Sequence, residues 1–256
     1  MYPSIGSPDA KVKITFINPN SSTQMSEELV DYLGNKIAPD VNITFYTGPS
    51  GKSPESIDGT IDGIISSAAV MQDLGVYSHD AAERRSSLPA LATAVIIGCF
   101  SAHPLLPALT EALSTEKRAP PVIGILESAV YTALQLASSI GIVTTGKNWE
   151  PLFITHLRTM GIAHSRIAGV RGTGFTAITL HGSEVTDTIL EAAVELVNKG
   201  AGAIILGCAG MAPKRKELED KLRERVGKHI HLIDGVQAAI EAAAGLSRMD
   251  IAHRSA

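Results

Sequence analysis

The chain has 256 residues, 45% hydrophobic and 19% charged, with a formal net charge of −4 at pH 7. That size and apolar content exclude a disordered chain and suit one large core or two smaller ones. The 22 basic residues are spread along the sequence and offer no concentrated field for nucleic acid or anionic lipid; the one basic cluster, Lys214-Arg215-Lys216, runs into Glu217, Glu219 and Asp220 as on a solvated helix face.

No apolar run approaches the ~20 residues that cross a bilayer. Met1 to Lys11 lacks the basic-then-apolar pattern of a secretory signal. A cytoplasmic location is expected, with the two cysteines, Cys99 and Cys208, as thiols rather than a disulfide framework.

Val12 to Ile17 alternates like a strand and ends in Asn18-Pro19-Asn20-Ser21-Ser22, a turn with helix-capping residues before a helix from Gln24 to Leu33. Val41 to Thr47 reads as the next strand. The Gly48-Pro49-Ser50-Gly51-Lys52-Ser53 loop is no phosphate loop, because Gly48 stands three rather than five positions before Gly51 and Pro54 blocks a following helix. Ile57 to Leu74 has helical spacing, with Ile57, Ile61, Ile64 and Ile65 on one side. Ser78 to Ser87 reads as a short surface helix, on which His79-Asp80 has no further ligand at metal-binding spacing.

Ala92 to Cys99 is a buried strand ending in a thiol. Ser101-Ala102-His103-Pro104 opens a helix through Leu105, Leu109 and Leu113. Arg118 to Pro121 links to a strand over Val122 to Leu126, and Glu127-Ser128 is expected to cap a helix from Ala129 to Ser138. A strand at Ile140 to Val143 ends in Thr144-Thr145-Gly146, followed by a helix from Asn148 to Met160, a short strand at Ser165 to Val170 and a helix from Ser183 to Asn198. A second thiol strand, Ala203 to Cys208, precedes a helix from Lys214 to Val226, a strand at Ile230 to Ile233 and a last helix from Val236 to Leu246.

Strands alternating with helices throughout predict parallel α/β architecture. The mid-chain linker and the echo of the Asn18 turn at Thr144, 144 − 18 = 126 residues on, favour two lobes over one barrel. The expected fold is two pseudo-symmetric Rossmann-like lobes, each a mostly parallel sheet flanked by helices, with the active site in the cleft between them. Residues 1–115 plus 226–256 would form the lobe carrying Cys99, with the last helix packed back on it, and residues 116–225 the lobe carrying Cys208.

The two cysteines stand in matching contexts, Ile-Ile-Gly-Cys and Ile-Leu-Gly-Cys, 208 − 99 = 109 residues apart. In open α/β sheets the carboxyl edge of the strands is where ligands bind. Gly before each thiol permits close backbone approach, and a nearby helix start favours the thiolate. A redox pair would normally be Cys-x-x-Cys, and a metal site needs three or four ligands where only His103 lies near either cysteine. Two thiols suit acid/base work on opposite faces of one carbon, one removing a proton and the other returning one. No cofactor motif accompanies them.

Phe16-Ile17-Asn18-Pro19-Asn20-Ser21, the Gly48-Pro49 turn with Ser56-Ile57-Asp58, Gly98-Cys99-Phe100, Pro121-Val122-Ile123-Gly124-Ile125, Gly141-Ile142-Val143-Thr144-Thr145, Leu206-Gly207-Cys208-Ala209-Gly210-Met211 and Ile233-Asp234-Gly235-Val236 follow one another in an order that covers nearly the whole chain. Together they resemble the hydantoin/allantoin racemase branch of the aspartate/glutamate racemase superfamily.

The resemblance implies a cofactor-independent racemase with Cys99 and Cys208 as its two bases and a cyclic ureide as the small-molecule partner. It also implies that Asn18 helps hold the substrate and that the backbone N–H groups of Phe100, Ser101, Ala209 and Gly210 bind ring carbonyls. Tyr46, Glu127, Thr144 and Thr145 are added from strand-end position alone.

Bacterial members commonly carry Gly-Asp-Pro after the first cysteine, where this chain has Ser101-Ala102-His103-Pro104. His103 is therefore a candidate electrostatic partner for Cys99, against the plainer reading of a helix-start histidine bonded to backbone. A homo-oligomer is expected. The alternatives are a sister reaction on the same scaffold (amino-acid racemisation, maleate isomerisation, malonate decarboxylation) or a ureide-binding protein without turnover. Open-chain acids need cationic or multiple N–H partners for their carboxylates, and the strand ends carry no Arg or Lys.

Overall fold

The computed structural model describes residues 2–78, 80–114, 119–180 and 182–249. The chain divides into two compact units: the first holds the residues up to Cys99, His103–Ile125 and the chain from Ala239 on, the second Phe100–Ala102 and Leu126–Ala238. His79, Arg118 and the expected lobe boundary at residues 115 and 116 lie outside the described residues.

The first unit contains β1 (Ser4–Gly6), β2 (Val12–Asn18), α1 (Thr23–Leu33), β3 (Val41–Thr47), α2 (Thr60–Asp73), α3 (Ala81–Ser86), β4 (Ala94–Ile97), α4 (Leu105–Leu113) and β5 (Val122–Gly124). Its sheet has the order β1-β3-β2-β4-β5, parallel except for β1, which pairs antiparallel with β3 at the edge. Every residue of β4 is buried, as a parallel strand covered on both faces requires. One face packs Ile17, Tyr46, Val95 and Ile97 against Val70 of α2 and Leu105 and Leu109 of α4.

The second unit contains most of α5 (Ile125–Leu136), then β6 (Ile140–Thr144), α6 (Trp149–Thr159), β7 (Ile167–Gly172), α7 (Ser183–Asn198), β8 (Ala203–Gly207), α8 (Arg215–Val226), β9 (His231–Asp234) and the start of α9 (Gly235–Arg248). Its sheet is wholly parallel, in the order β7-β6-β8-β9. In chain order this repeats the β3-β2-β4-β5 part of the first sheet, so β8 occupies the place of β4. The end of α9 returns to the first unit, where Arg248 forks onto Asp40 at 2.8 and 3.0 Å and Ser247 meets Thr93 at 3.0 Å.

One local expectation is corrected. The β5 strand passes into α5 without a separate cap, so Glu127 and Ser128 lie in the first helical turn. The isoleucine side of α2 faces solvent: Ile61, Ile64 and Ile65 are 73%, 56% and 48% exposed, and Ile57 is buried ahead of the helix. The inward face is Gly63, Ser66, Ser67, Ala69 and Val70. Small side chains there let neighbouring backbone come close, and the register of the helix follows that packing rather than the apolar count.

A Cβ on Gly207 would stand 2.7 Å from the Val143 carbonyl oxygen, and backbone cannot give way as a side-chain tip can. Gly207→Ala is expected to cost about 1–3 kcal/mol, as overpacking does. Gly245→Ala, on a helix with nothing within 4 Å, should instead stabilise by about 0.5–1 kcal/mol. Urea unfolding midpoints at unchanged slope check both.

Candidate functional site

Cys99 follows β4 by one residue. The Gly98 N–H donates to the Ile17 carbonyl at 2.7 Å, and a Cβ on Gly98 would overlap the Phe16 ring. Glycine is what lets the strand end draw in against β2. Cys208 follows β8 directly, behind Gly207, whose carbonyl accepts the Thr144 hydroxyl at 3.1 Å. Both cysteines are half-buried and neither is in a disulfide.

The chain leaves the two thiols differently. Cys208, in extended conformation, caps a 3-10 helix over Ala209–Lys214, and the Met211 N–H closes onto the Cys208 carbonyl at 3.0 Å. The first N–H groups of such a helix have no acceptor within it. Gly210 lies close enough that a Cβ there would be 3.9 Å from the Cys208 Sγ. After Cys99 the next helix, α4, begins only at Leu105.

Strand register sets which expected residues share an edge. Ile17 pairs with Ile97, so Asn18 and Gly98 end neighbouring strands in the first unit. Thr144 pairs with Gly207 in the second. Asn18 is buried; its Nδ2 donates to the Ser22 carbonyl at 3.2 Å and the Ser26 hydroxyl at 3.1 Å, and its Oδ1 accepts the Asn20 N–H at 3.4 Å. Ser26 in turn meets the Thr47 hydroxyl at 2.6 Å. The Asn-Pro-Asn turn is therefore braced internally, and the Gly48 N–H closes it with 2.9 Å bonds to the Asn18 and Asn20 carbonyls. Thr144 and Thr145 are buried in the equivalent turn, their carbonyls accepting the Thr173 and Gly174 N–H groups at 2.9 Å. Phe100, Ser101 and Ala209 are buried as well, and the Phe100 ring meets Phe153 edge-on at 5.5 Å.

Three expected residues turn elsewhere. Tyr46 is in the core and donates its hydroxyl to Asp73, the last residue of α2, at 2.9 Å; burial, then the Asp73 carboxylate, raise its pKa. Glu127 Oε1 meets His156 Nε2 at 2.9 Å, and its Oε2 is buried with no hydrogen-bond partner among the described residues. His103, 3% exposed, accepts the Leu105 N–H on Nδ1 at 3.2 Å and meets the Ser66 hydroxyl through Nε2 at 3.1 Å. An Nδ1 that accepts carries no proton, so Nε2–H donates to Ser66 and the ring is neutral. Burial lowers its pKa from 6.5 to about 4. The cationic partner for Cys99 considered from sequence is not what this histidine is.

Asp234 was not among the expected site residues. It is buried at the carboxyl end of β9, where it pairs with Leu206 in register and accepts the Val236 N–H at 2.8 Å as it caps α9. The Asp-Gly pair after a strand is the signal that points to it. Among the described residues no group of three or more His, Cys, Asp or Glu stands together to hold a metal, and no helix is long and apolar enough to cross a membrane.

The Asp/Glu/hydantoin racemase family model matches residues 14–243. The chain belongs to this family. An uncharacterised protein of Schizosaccharomyces pombe is 34% identical over 244 residues, covering 94% of each chain. A hydantoin racemase of Paenarthrobacter aurescens is 28% identical over 238 residues, 92% of this chain and 91% of its own. Among solved structures, the allantoin racemase of Klebsiella pneumoniae superposes with a TM-score of 0.76 at 28% identity, covering 95% of this chain and 90% of its own. The family's α/β fold, two mostly parallel sheets flanked by helices, is the one described above.

The buried neutral His103 predicts acid sensitivity. Between pH 6.5 and about 4 the unfolded chain binds a proton on this ring and the native chain does not, so native stability falls as the pH falls through that window. At ~1.36 kcal/mol for each tenfold difference in proton affinity, the loss is about 3 kcal/mol when complete. Urea unfolding from pH 7 to 4 should show a shallower decline in the His103→Gln variant than in the native chain.

Proposed function

We propose that this family member is a cofactor-independent racemase of a cyclic ureide, allantoin or a 5-substituted hydantoin, with Cys99 and Cys208 as its two bases. One observation carries the reading: each cysteine follows a glycine at the end of the equivalent strand of two sheets with the same order. The allantoin and hydantoin racemases named above support the substrate class.

In this reading one thiolate removes the proton at the ring stereocentre. The C–H electron pair passes into the adjacent carbonyl as an enolate, and the opposite thiol delivers its proton to the other face. One S–H bond forms and one breaks, so the two sulfurs exchange protonation states in each turnover. A thiol with a reference pKa of ~8.5 is already a few per cent ionised at neutral pH.

The enolate oxygen needs fixed donors, a role assigned to the N–H groups of Phe100, Ser101, Ala209 and Gly210. Asn18, Thr144 and Thr145 serve by holding the strand-end turns. Tyr46 and Glu127, bonded to Asp73 and His156, support the scaffold.

Polarimetry on single enantiomers across a panel of ureides tests the proposal. The native chain should racemise at least one above the uncatalysed rate, and Cys99→Ser and Cys208→Ser should each lower that rate by about 10²–10⁴-fold with circular dichroism unchanged. A panel without any enzymatic racemisation, or a serine variant that keeps more than about a tenth of native activity, contradicts it.

A further inference from the structure

We infer that His103 is a positioning residue: it straps the segment carrying Cys99 onto α2 and thereby sets where the Cys99 thiol points. The inference rests on the reading of Cys99 as a base. It concerns how that base is held, not what it acts on.

Consider first what each thiol segment has to keep it in place. Cys208 starts its own helical turn, so backbone bonding begins at once. After Cys99 the next helix, α4, starts only at Leu105, with five residues between them (Phe100 to Pro104). Its segment is held on the strand side by Gly98 against β2. At the far end, His103 and Pro104 are seated on the small inward face of α2.

Gly63 permits that seat, since a Cβ there would be 3.1 Å from Pro104 Cδ. The Ser66 and Ser67 hydroxyls both donate to the Gly63 carbonyl, at 3.1 and 2.6 Å. Ser66 is thereby oriented to accept from His103 Nε2, while Nδ1 accepts from the Leu105 N–H that opens α4. The ring thus ties α2 to the start of α4 through two bonds of fixed direction.

Packing alone does not explain a histidine there. Ser66 is already satisfied by the Gly63 carbonyl, so an apolar side chain of similar size would fill the site without stranding that hydroxyl. What the imidazole adds is direction. Nor is it placed to act as a charge or a substrate ligand, because both nitrogens already have partners. A thiol that must meet a carbon at near-attack distance is sensitive to such placement, and ~1 Å of error costs on the order of 10²-fold in rate.

The experiment compares the full-length native chain with His103→Leu, His103→Gln and Ser66→Ala. Alkylation of each cysteine by iodoacetamide is followed by peptide mass spectrometry, alongside kcat and KM for a racemised ureide. His103→Leu should shift Cys99 alkylation about threefold or more and lower kcat about tenfold while KM stays within about twofold, with Cys208 alkylation unchanged.

Ser66→Ala should move the same quantities in the same direction, and His103→Gln, which keeps a donor and an acceptor, should restore most of the loss. Unchanged Cys99 alkylation in both His103→Leu and Ser66→Ala overturns the inference. So does a parallel shift at both cysteines, or a glutamine variant no better than leucine. If His103→Leu does not fold, Ser66→Ala decides. If no ureide is racemised, the alkylation readout still tests the strap, so the two readings fail separately.

Discussion

The structure depends on the close approach of backbone at two glycines. Gly98 and Gly207 stand where β4 and β8 leave their sheets, and a side chain at either would strike the neighbouring strand: the Phe16 ring in one unit, the Val143 carbonyl in the other. Because the next residue in each case is a cysteine, this contact holds each thiol at the end of a fully buried strand. Function on a parallel α/β scaffold is built at that edge, and a rigid strand supplies the placement that a loop cannot.

The two units solve the same problem with different chemistry. The sheets share strand order, and the turn after β2 corresponds to the turn after β6: Gly48 closes on Asn18 and Asn20 as Thr173 and Gly174 close on Thr144 and Thr145. Beyond the thiols they diverge. Cys208 is followed by a 3-10 helix held by its own backbone, Cys99 by an irregular segment that ends on the His103 and Ser66 contact. A duplicated fold keeps the strand ends alike and lets the loops differ.

Most of the fold is legible in the residues because its elements carry strong local signals. Buried runs ending in Gly-Cys identify β4 and β8, and the helical spacing of apolar residues such as Ile189, Ala193 and Val197 places α7 at Ser183–Asn198. What local signals leave out is set by tertiary contacts. The three-residue β1 strand is defined by its pairing with β3. Which side of α2 packs is not legible from its isoleucines, because Gly63, Ser66 and Ser67 are the residues that face inward and they carry no apolar signal.

The candidate site divides the same way. Cysteines in matched contexts stand out at once, and the Asn18 turn follows from its capping residues. The partners of His103 and Tyr46 do not, since Ser66 lies 37 residues before His103 and Asp73 lies 27 after Tyr46. Neither serine nor aspartate on a helix announces which strand-end residue it will meet. The side-chain identity was visible; the bonding that decides its role was not.

The central claim is that two sulfurs serve one stereocentre from opposite faces, and chiral chromatography with mass spectrometry of a single ureide enantiomer turned over by the native chain in D2O tests it most directly. Early in the reaction the inverted product should carry deuterium at the stereocentre while the unconverted enantiomer remains protiated. Deuterium appearing in the starting enantiomer as fast as in the inverted one would point to a single base working on one face, and would contradict the account.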